Sequence, residues 1–161
     1  MIQPQAPATT MEANDIGVQT TLVLDTNTVL ALWMFRDPVL EPMRERLSRG
    51  PCRLFSREDA LEELRRVLAY RQFAQSPEAQ QALLDAYRQR LAHCFPPGTP
   101  DEQLPSCRDR DDQKFLEIAL ASGVCALITR DRDLLRLRRH RLIRDRFAIL
   151  RPEDWQQRYG I

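Results

Sequence analysis

Residues 22–30 read Leu-Val-Leu-Asp-Thr-Asn-Thr-Val-Leu. The apolar run 22–24 is typical of a strand that is buried on both faces, as the strands of a parallel sheet are. Asp25 ends this run, and the Thr- and Asn-rich turn after it favours the start of a helix. The apolar segment 29–35 then predicts a buried helix. This stretch therefore predicts a strand that leads through an aspartate directly into a helix.

Three more apolar runs are typical of buried strands, and segments with helical spacing of apolar residues separate them. These runs lie at 52–55, 124–129 and 147–150. Strands that alternate with helices predict a parallel sheet with helices on both faces. The predicted fold is therefore α/β, with three layers (helix, sheet, helix) around a central parallel sheet of four to five strands.

Local signals predict where several helices begin and end. Ser56, with Asp59 three positions later, predicts the N-cap of a helix. The helix that starts after Ser76 is predicted to continue to Pro96, because its apolar residues keep helical spacing up to that point. Gly123 predicts a left-handed helix end.

The length and composition of the chain predict one compact domain. The chain has 161 residues, of which 43% are hydrophobic and 29% are charged, as in ordinary globular proteins. The domain is predicted at 21–155, between an N-terminal tail at 1–20 that carries no export signal and a C-terminal tail at 156–161. Four cysteines without zinc-ligand spacing are interpreted as reduced thiols of a cytoplasmic protein, and no segment predicts a membrane helix.

Acidic side chains stand at the ends of apolar runs or at the starts of helices in four separate parts of the chain. These acidic clusters are Asp25, Glu62/Glu63, Asp109/Asp111/Asp112 and Asp131/Asp133. Because ligand sites of parallel sheets form at the carboxyl ends of the strands, we expect the four clusters to converge there. Converging carboxylates repel one another, and oxygen ligands without nearby His or Cys suit Mg²⁺ or Mn²⁺. The sequence therefore predicts one metal site.

Each aspartate also has a simpler explanation. Asp25 and Asp131 are well placed to cap helices, and Asp109 and Asp111 are common turn residues. For one such residue the cap is the better interpretation, but separate caps have no reason to converge at one edge of a sheet. The aspartates that precede Phe115 stand at the positive end of a predicted helix, which favours their ionised form.

Positive charge is concentrated in one part of the chain. The net charge is only +1, and Lys114 is the only lysine, whereas eight arginines lie between residues 130 and 146. Such a run can bind phosphates, because guanidinium groups offer forked hydrogen bonds to them. A run of charges is as often a solvated face, so the charge pattern alone leaves both interpretations open.

Several classes of enzyme lack their motifs in this chain. The sequence has no Walker loop and no G-x-G-x-x-G. The two histidines, His93 and His140, have no Ser or Cys in a nucleophile-elbow context, which disfavours hydrolysis by a catalytic triad.

Four blocks of the sequence, in order and spacing, resemble the motifs of PIN-domain ribonucleases, and most of all those of the bacterial toxin components of toxin–antitoxin pairs. The blocks are Leu22-Val-Leu-Asp-Thr-Asn-Thr-Val-Leu30, Glu62-Glu-Leu-Arg-Arg-Val-Leu68, Cys107-Arg-Asp-Arg-Asp-Asp-Gln-Lys-Phe-Leu-Glu-Ile-Ala119 and Ile128-Thr-Arg-Asp-Arg-Asp-Leu-Leu135. They cover roughly residues 21–153. The resemblance implies a PIN-like fold and a metal-dependent endoribonuclease that uses Mg²⁺ or Mn²⁺ and leaves a 5′-phosphate and a 3′-hydroxyl.

The resemblance also implies roles for particular residues. The implied catalytic and metal-binding residues are Asp25, Glu63, Asp112 and Asp131, with Asp133 as a further metal ligand. Asp111 is the alternative to Asp112, because Gln113 stands where the related pattern has Asp or Asn. Asn27 and Thr129 match polar residues that orient the carboxylates.

The sequence also leads to expected partners and to two alternative functions. Arg130 and Arg132 are expected to contact the RNA substrate, and a cognate antitoxin and a homodimer are expected partners. One alternative is a phosphatase of the haloacid-dehalogenase type, which also has an aspartate after its first strand, although Asn27 stands where that chemistry needs a second acid. The other is a non-catalytic PIN module that only binds RNA.

Overall fold

In the computed structural model, which describes residues 20–98 and 102–161, five strands form one sheet. The strands are β1 (Thr20–Leu24), β2 (Cys52–Arg57), β3 (Leu91–Phe95), β4 (Ala126–Ile128) and β5 (Ala148–Leu150). Their order across the sheet is β3-β2-β1-β4-β5, and every neighbouring pair is parallel. The predicted parallel α/β sheet is therefore confirmed.

Within the described residues, seven α-helices connect and cover these strands. They are α1 (Thr26–Val29), α2 (Glu41–Arg49), α3 (Glu58–Leu68), α4 (Pro77–Arg90), α5 (Gln113–Ser122), α6 (Arg132–Arg136) and α7 (Pro152–Arg158). Helix α1 continues as a π-helical segment (Leu30–Met34), and short 3₁₀ turns lie at Pro38–Leu40, Arg71–Phe73 and Leu137–Arg139. Helix α5 ends at Gly123 with a φ of 59°, the predicted left-handed position. In the described residues no helix is long and apolar enough to cross a membrane.

Two hydrophobic cores lie on opposite faces of the sheet, because successive side chains of a strand alternate between its faces. In β1, Leu22 and Leu24 belong to one core and Val23 to the other. The first core is completed by side chains of α2, α3, α4 and α7, and the second by side chains of α5 and α6. The three predicted layers are thus helix, sheet and helix.

Two local predictions were wrong, and in both cases strand pairing decided the structure. The helix after Ser76 ends at Arg90 rather than Pro96, and the chain continues directly into β3. Residues 91–95 pair with β2, so a contact distant in sequence overrides their helical spacing. Ser56 is not an N-cap but a buried residue of β2, and α3 begins after Arg57 without a side-chain cap.

The order of the strands places a topological switch point between β1 and β4. From β1 the chain proceeds outward through β2 to β3, and it then returns to the other side of β1 to form β4. Leu24 lies opposite Ile128 in the register of these two strands. The residues that follow, Asp25 and Thr129, therefore leave the sheet side by side, at the place where parallel sheets bind their ligands.

Helix α7 anchors the C-terminal part of the chain to the first core. The Trp155 side chain is fully buried, and Gln156 is 8% exposed. The Gln156 side chain accepts a hydrogen bond from the Met43 amide at 3.0 Å and donates one to the Val39 carbonyl at 3.0 Å. Helix α7 ends at Arg158, so it extends past residue 155, the predicted end of the domain. The domain limits predicted from the sequence stay a prediction, and most of the predicted tail at 1–20 lies outside the described residues.

We expect Gln156→Ala to lower the free energy of unfolding by about 1–3 kcal/mol, because the Met43 amide loses its hydrogen-bond acceptor inside the protein. Urea denaturation followed by circular dichroism measures this change. The exposed neighbour Gln157→Ala is the matched control and should change the free energy by less than about 0.5 kcal/mol. Equal effects of the two substitutions would contradict an anchoring role for Gln156.

Candidate active site

Asp25 is the buried centre of the candidate site. It follows β1 and is the N-cap of α1, with the Oδ1 atom accepting a hydrogen bond from the Thr28 amide at 2.7 Å. The Oδ2 atom accepts a hydrogen bond from the Thr129 hydroxyl. The residue is only 3% exposed. Burial raises the pKa of Asp25 despite these hydrogen bonds, and the negative charge of Asp131 raises it further.

Thr129 connects the loops that follow β1 and β4. Its side chain is fully buried. The hydroxyl donates to Asp25 and accepts a hydrogen bond from the Asp131 amide at 2.9 Å. One hydroxyl group therefore links the carboxylate of one predicted metal ligand to the backbone of another.

Asp131 is both a helix cap and a member of the acidic centre. The Oδ1 atom accepts hydrogen bonds from the Asp133 amide at 2.8 Å and the Leu134 amide at 2.9 Å, at the start of α6. Asp25 and Asp131 therefore both cap helices, as the simpler explanation predicts. Capping does not exclude convergence, because the charge of Asp131 also acts on Asp25.

Glu63 reaches the site from the second turn of α3. The Oε1 atom accepts a hydrogen bond from the Thr26 hydroxyl at 2.6 Å, and the Oε2 atom forms a salt bridge with the Lys114 ammonium. The neighbouring Glu62 points away from the site and pairs with Arg65 on the surface. Of this acidic pair, only Glu63 lies at the centre.

Asp112 gives the clearest evidence that the carboxylates converge. It precedes α5 and makes no capping hydrogen bond with its side chain. Burial raises the pKa of Asp112 to about 7, and four surrounding carboxylates add to this effect. Those four are Asp131, Asp109, Asp25 and Glu63. The expectation that the helix end keeps Asp112 ionised was wrong, because desolvation and like charges outweigh the helix dipole.

The structure favours Asp112 over Asp111 as the third carboxylate. Asp111 is exposed, and its backbone carbonyl accepts a hydrogen bond from Lys114. The unusual Gln113 holds the preceding loop in place, since its side chain accepts a hydrogen bond from the Cys107 amide at 2.6 Å and donates one to the Pro105 carbonyl at 3.2 Å. This clamp presents Asp112 to the site.

Other residues implied by the resemblance lie further from the centre. Asp133 forms a salt bridge with Arg136 at 3.0 Å. Arg130 is bound to Asp37 at 3.0 Å and to Glu153, so its guanidinium group already contacts two carboxylates. Arg132 is exposed. The substrate-binding roles of Arg130 and Arg132 and the metal-binding role of Asp133 stay predictions.

Asn27 is exposed and makes no hydrogen bond to a carboxylate of the described residues, so its supporting role stays a prediction.

Two residues that contact Glu63 were not predicted from the sequence. The first is Thr26, whose hydroxyl donates a hydrogen bond to Glu63. Lys114 is the second unpredicted residue. Its position one residue after Gln113, next to an acidic block, is the signal in the sequence that could have indicated this contact.

The chemistry of these side chains fits a hard divalent cation, because every donor is oxygen and the carboxylates exceed the single ammonium group among them. In the described residues, however, no three His, Cys, Asp or Glu side chains are arranged closely enough to hold a metal ion. The carboxylates are too far apart for this because Asp25, Glu63 and Asp131 each direct oxygens toward hydrogen-bond donors of the protein. Binding a cation would require these side chains to turn toward one another.

The fold and the site together define a parallel α/β protein with an acidic centre at the switch point. The family model of the PIN domain matches residues 21–133. This match covers more than half of the chain, which therefore belongs to the PIN domain family. PIN domains are generally nucleases and typically use divalent metals. No curated protein matches the chain. Membership of this family leaves no basis for the haloacid-dehalogenase alternative.

The raised pKa of Asp112 predicts how the stability of the metal-free protein depends on pH. The folded state retains a proton that the unfolded state has lost between the ordinary pKa of 3.8 and a pKa of about 7, so this group lowers stability as the pH rises through that range. Asp112→Asn removes the effect. We expect the wild type to lose on the order of 1 kcal/mol relative to Asp112→Asn between pH 5 and pH 8, after allowance for solvent screening.

Urea denaturation in the presence of EDTA at the two pH values measures this difference. Asp111→Asn is the matched control, because it removes an exposed carboxylate from the adjacent position. The control should follow the wild type at both pH values. A constant difference between the wild type and Asp112→Asn would show that Asp112 does not titrate in this range.

Proposed function

We propose that this PIN domain is a divalent-metal-dependent endoribonuclease. The observation that carries the proposal is the set of carboxylates around Asp112, whose pKa is raised to about 7 first by burial and then by these neighbouring charges. Asp112 and three of these neighbours come from four separate segments: Asp25 after β1, Glu63 in α3, Asp112 before α5 and Asp131 after β4. A fold gains no stability from gathering like charges in this way, so a bound cation is the simplest reason for the arrangement.

Asp25, Glu63, Asp112 and Asp131 are the residues that would hold Mg²⁺ or Mn²⁺. The ion supplies charge neutralisation at the phosphate and a water of lowered pKa. Thr28 and Thr129 fix the orientation of Asp25 through their hydrogen bonds, as Thr26 does for Glu63. No side chain of the described residues needs to act as a nucleophile in this chemistry.

Before a metal ion binds, Lys114 and the proton on Asp112 reduce the negative charge of the acidic centre. The Lys114 ammonium pairs with Glu63, and Asp112 holds a proton for part of the time near pH 7. A divalent ion at the centre would compete with the Lys114 ammonium for Glu63 and with the proton for Asp112. Asp112 is half-buried, so the proton it loses can pass to solvent. Metal binding should therefore release protons near neutral pH.

Asp25→Asn should abolish RNA cleavage and leave the fold intact, because the amide keeps the size of the carboxylate and one oxygen that can accept from the Thr28 amide, but not the charge that a metal ion needs. Cleavage of an end-labelled single-stranded RNA with Mn²⁺ or Mg²⁺ measures activity, and analysis of the product ends tests for the expected 5′-phosphate. Asp85→Asn, on the exposed side of α4, is the control and should cleave normally. Full activity in Asp25→Asn would refute the assignment.

Calorimetric titration with Mn²⁺ should show binding that depends on both Asp25 and Asp112. At pH 7, in buffers with different heats of ionisation, we expect each bound ion to release about half a proton in the wild type, since the pKa of Asp112 is about 7. The release should increase toward pH 6 and disappear above pH 8. Asp111→Asn should behave like the wild type. Proton release that persists unchanged in Asp112→Asn would contradict this source of the proton.

The proposal extends to the toxin component of a toxin–antitoxin pair that acts in the cytoplasm. All four cysteines of the chain lie in the described residues and are free, in keeping with a reducing compartment. An exposed aromatic cluster supports protein partners such as an antitoxin or a second copy. In this cluster Phe35 is 60% exposed and packs against Phe73 at 5.7 Å, and Tyr70 stacks on the same ring at 6.3 Å.

A second candidate is a non-catalytic PIN module that binds RNA. The observation that favours it is that the carboxylates are engaged by donors of the protein and are not arranged to hold a metal ion in the described residues. The calorimetric experiment separates the two candidates. A module without catalysis would take up no Mn²⁺ at millimolar concentration, whereas the nuclease proposal requires saturable binding that Asp25→Asn removes.

A further inference from the structure

An arginine-lined cavity opens on the C-terminal side of the acidic centre. It has a volume of about 740 Å³, within the range of ligand-binding sites. Helix α6, the 3₁₀ turn after it and the start of α7 provide the lining. The basic residues of this arginine cavity are Arg132, Arg136, Arg138, Arg139 and Arg151, and its only acidic residue is Asp154.

Most of these guanidinium groups have no counter-charge. Arg136 is paired with Asp133 at 3.0 Å. The other four, Arg132, Arg138, Arg139 and Arg151, form no salt bridge with any residue in 20–98 or 102–161. Like charges in one concave surface repel one another and raise the local positive potential, so the cavity is suited to an anion with several charges.

The other large cavity near the acidic centre is different in charge. Its volume is about 700 Å³, and four basic and three acidic side chains line it. Arg57, one of the four, already bridges Asp59 and Glu117 at 2.7 and 2.8 Å. That cavity is close to neutral, so it has no comparable attraction for a polyanion. The comparison singles out the arginine cavity.

The arginine cavity begins next to a predicted metal ligand. Arg132 lines it and directly follows Asp131, whose carboxylate caps the same helix that carries Arg136. The acidic Asp131 and the basic Arg132 are thus consecutive residues of the chain. The cavity and the acidic centre therefore adjoin at the start of α6.

We propose that the arginine cavity binds the phosphodiester backbone of single-stranded RNA on one side of the bond that is cleaved. This inference takes its choice of RNA from the proposed function and adds a binding surface to it. Guanidinium groups suit this task, because their forked donors match two phosphate oxygens and their charge releases counterions from the strand. The contacts are made to phosphates, so they position the strand without reading its sequence.

Fluorescence anisotropy with a labelled single-stranded RNA in EDTA tests this proposal without cleavage. Two double variants remove the same charge from the same part of the chain. Arg138→Gln with Arg139→Gln alters the cavity, whereas Arg141→Gln with Arg144→Gln alters exposed arginines outside its lining. We expect the first pair to weaken binding about tenfold or more and to reduce the slope of log K against log salt by roughly 1.4. The second pair should weaken binding by less than about threefold.

A DNA strand of the same sequence should bind within a few-fold of the RNA, because the proposed contacts are made to phosphates. Equal losses in the two double variants would overturn the proposal and indicate only an effect of net charge. Failure of DNA to compete with the RNA would overturn the assignment to the backbone. Thermal unfolding by circular dichroism checks that both variants remain folded.

The outcome is separable from that of the proposed function. Hydrolysis of a small phosphodiester, bis-p-nitrophenyl phosphate, by the wild type with Mn²⁺ tests the acidic centre without the cavity. A wild type that binds RNA through Arg138 and Arg139 but hydrolyses no phosphodiester would support the cavity and refute the nuclease. Hydrolysis of the small ester together with RNA binding that is insensitive to Arg138 and Arg139 would refute the cavity alone.

Discussion

The hydrogen bond between Thr129 and the buried carboxylate of Asp25 is the contact on which the site depends. Register places the two residues side by side, because Leu24 lies opposite Ile128 in the adjacent strands. The same hydroxyl accepts a hydrogen bond from the Asp131 amide. A buried carboxylate is costly unless donors surround it, and here its donors come from both sides of the switch point. The hydrogen bond between Asp25 and Thr129 therefore extends the contact between β1 and β4, which strand pairing and the shared core of Leu24 and Ile128 already hold together.

That charge is not fully balanced within the protein. Lys114 is the one ammonium group at the centre, and it serves Glu63. Burial raises the pKa of Asp112 to about 7, and the surrounding carboxylates, which have too few cations among them, add to this effect. The metal-free fold thus spends stability on an arrangement that a divalent cation would relieve. Sites that serve function rather than folding have this property.

Much of the fold and the approximate position of the site could be predicted because both depend on local patterns. Apolar runs that end in aspartate, as at Asp25, predicted the strands and the edge where they meet. The edge strand β3 could not be predicted, because its pairing with β2 overrides the helical spacing of residues 91–95. The ionisation of Asp112 was mispredicted for a similar reason: the helix dipole is visible in the sequence, whereas burial and the surrounding carboxylates are not. Contacts such as that of Thr26 with Glu63 depend on side-chain directions that only the folded chain defines.

The distribution of charge gives a physical reason for placing the arginine cavity beside the acidic centre. A net charge of +1 conceals two regions of opposite sign that adjoin between Asp131 and Arg132. Acidic groups alone would repel an RNA strand, and a single metal ion offsets only two of their charges. In the proposed function, unpaired arginines at the margin would supply the remaining attraction, and among the described residues they form no salt bridge with the carboxylates that would hold the metal ion. Separation of the two signs by one short turn therefore allows the site to attract a polyanion and still keep the acidic centre available for a cation.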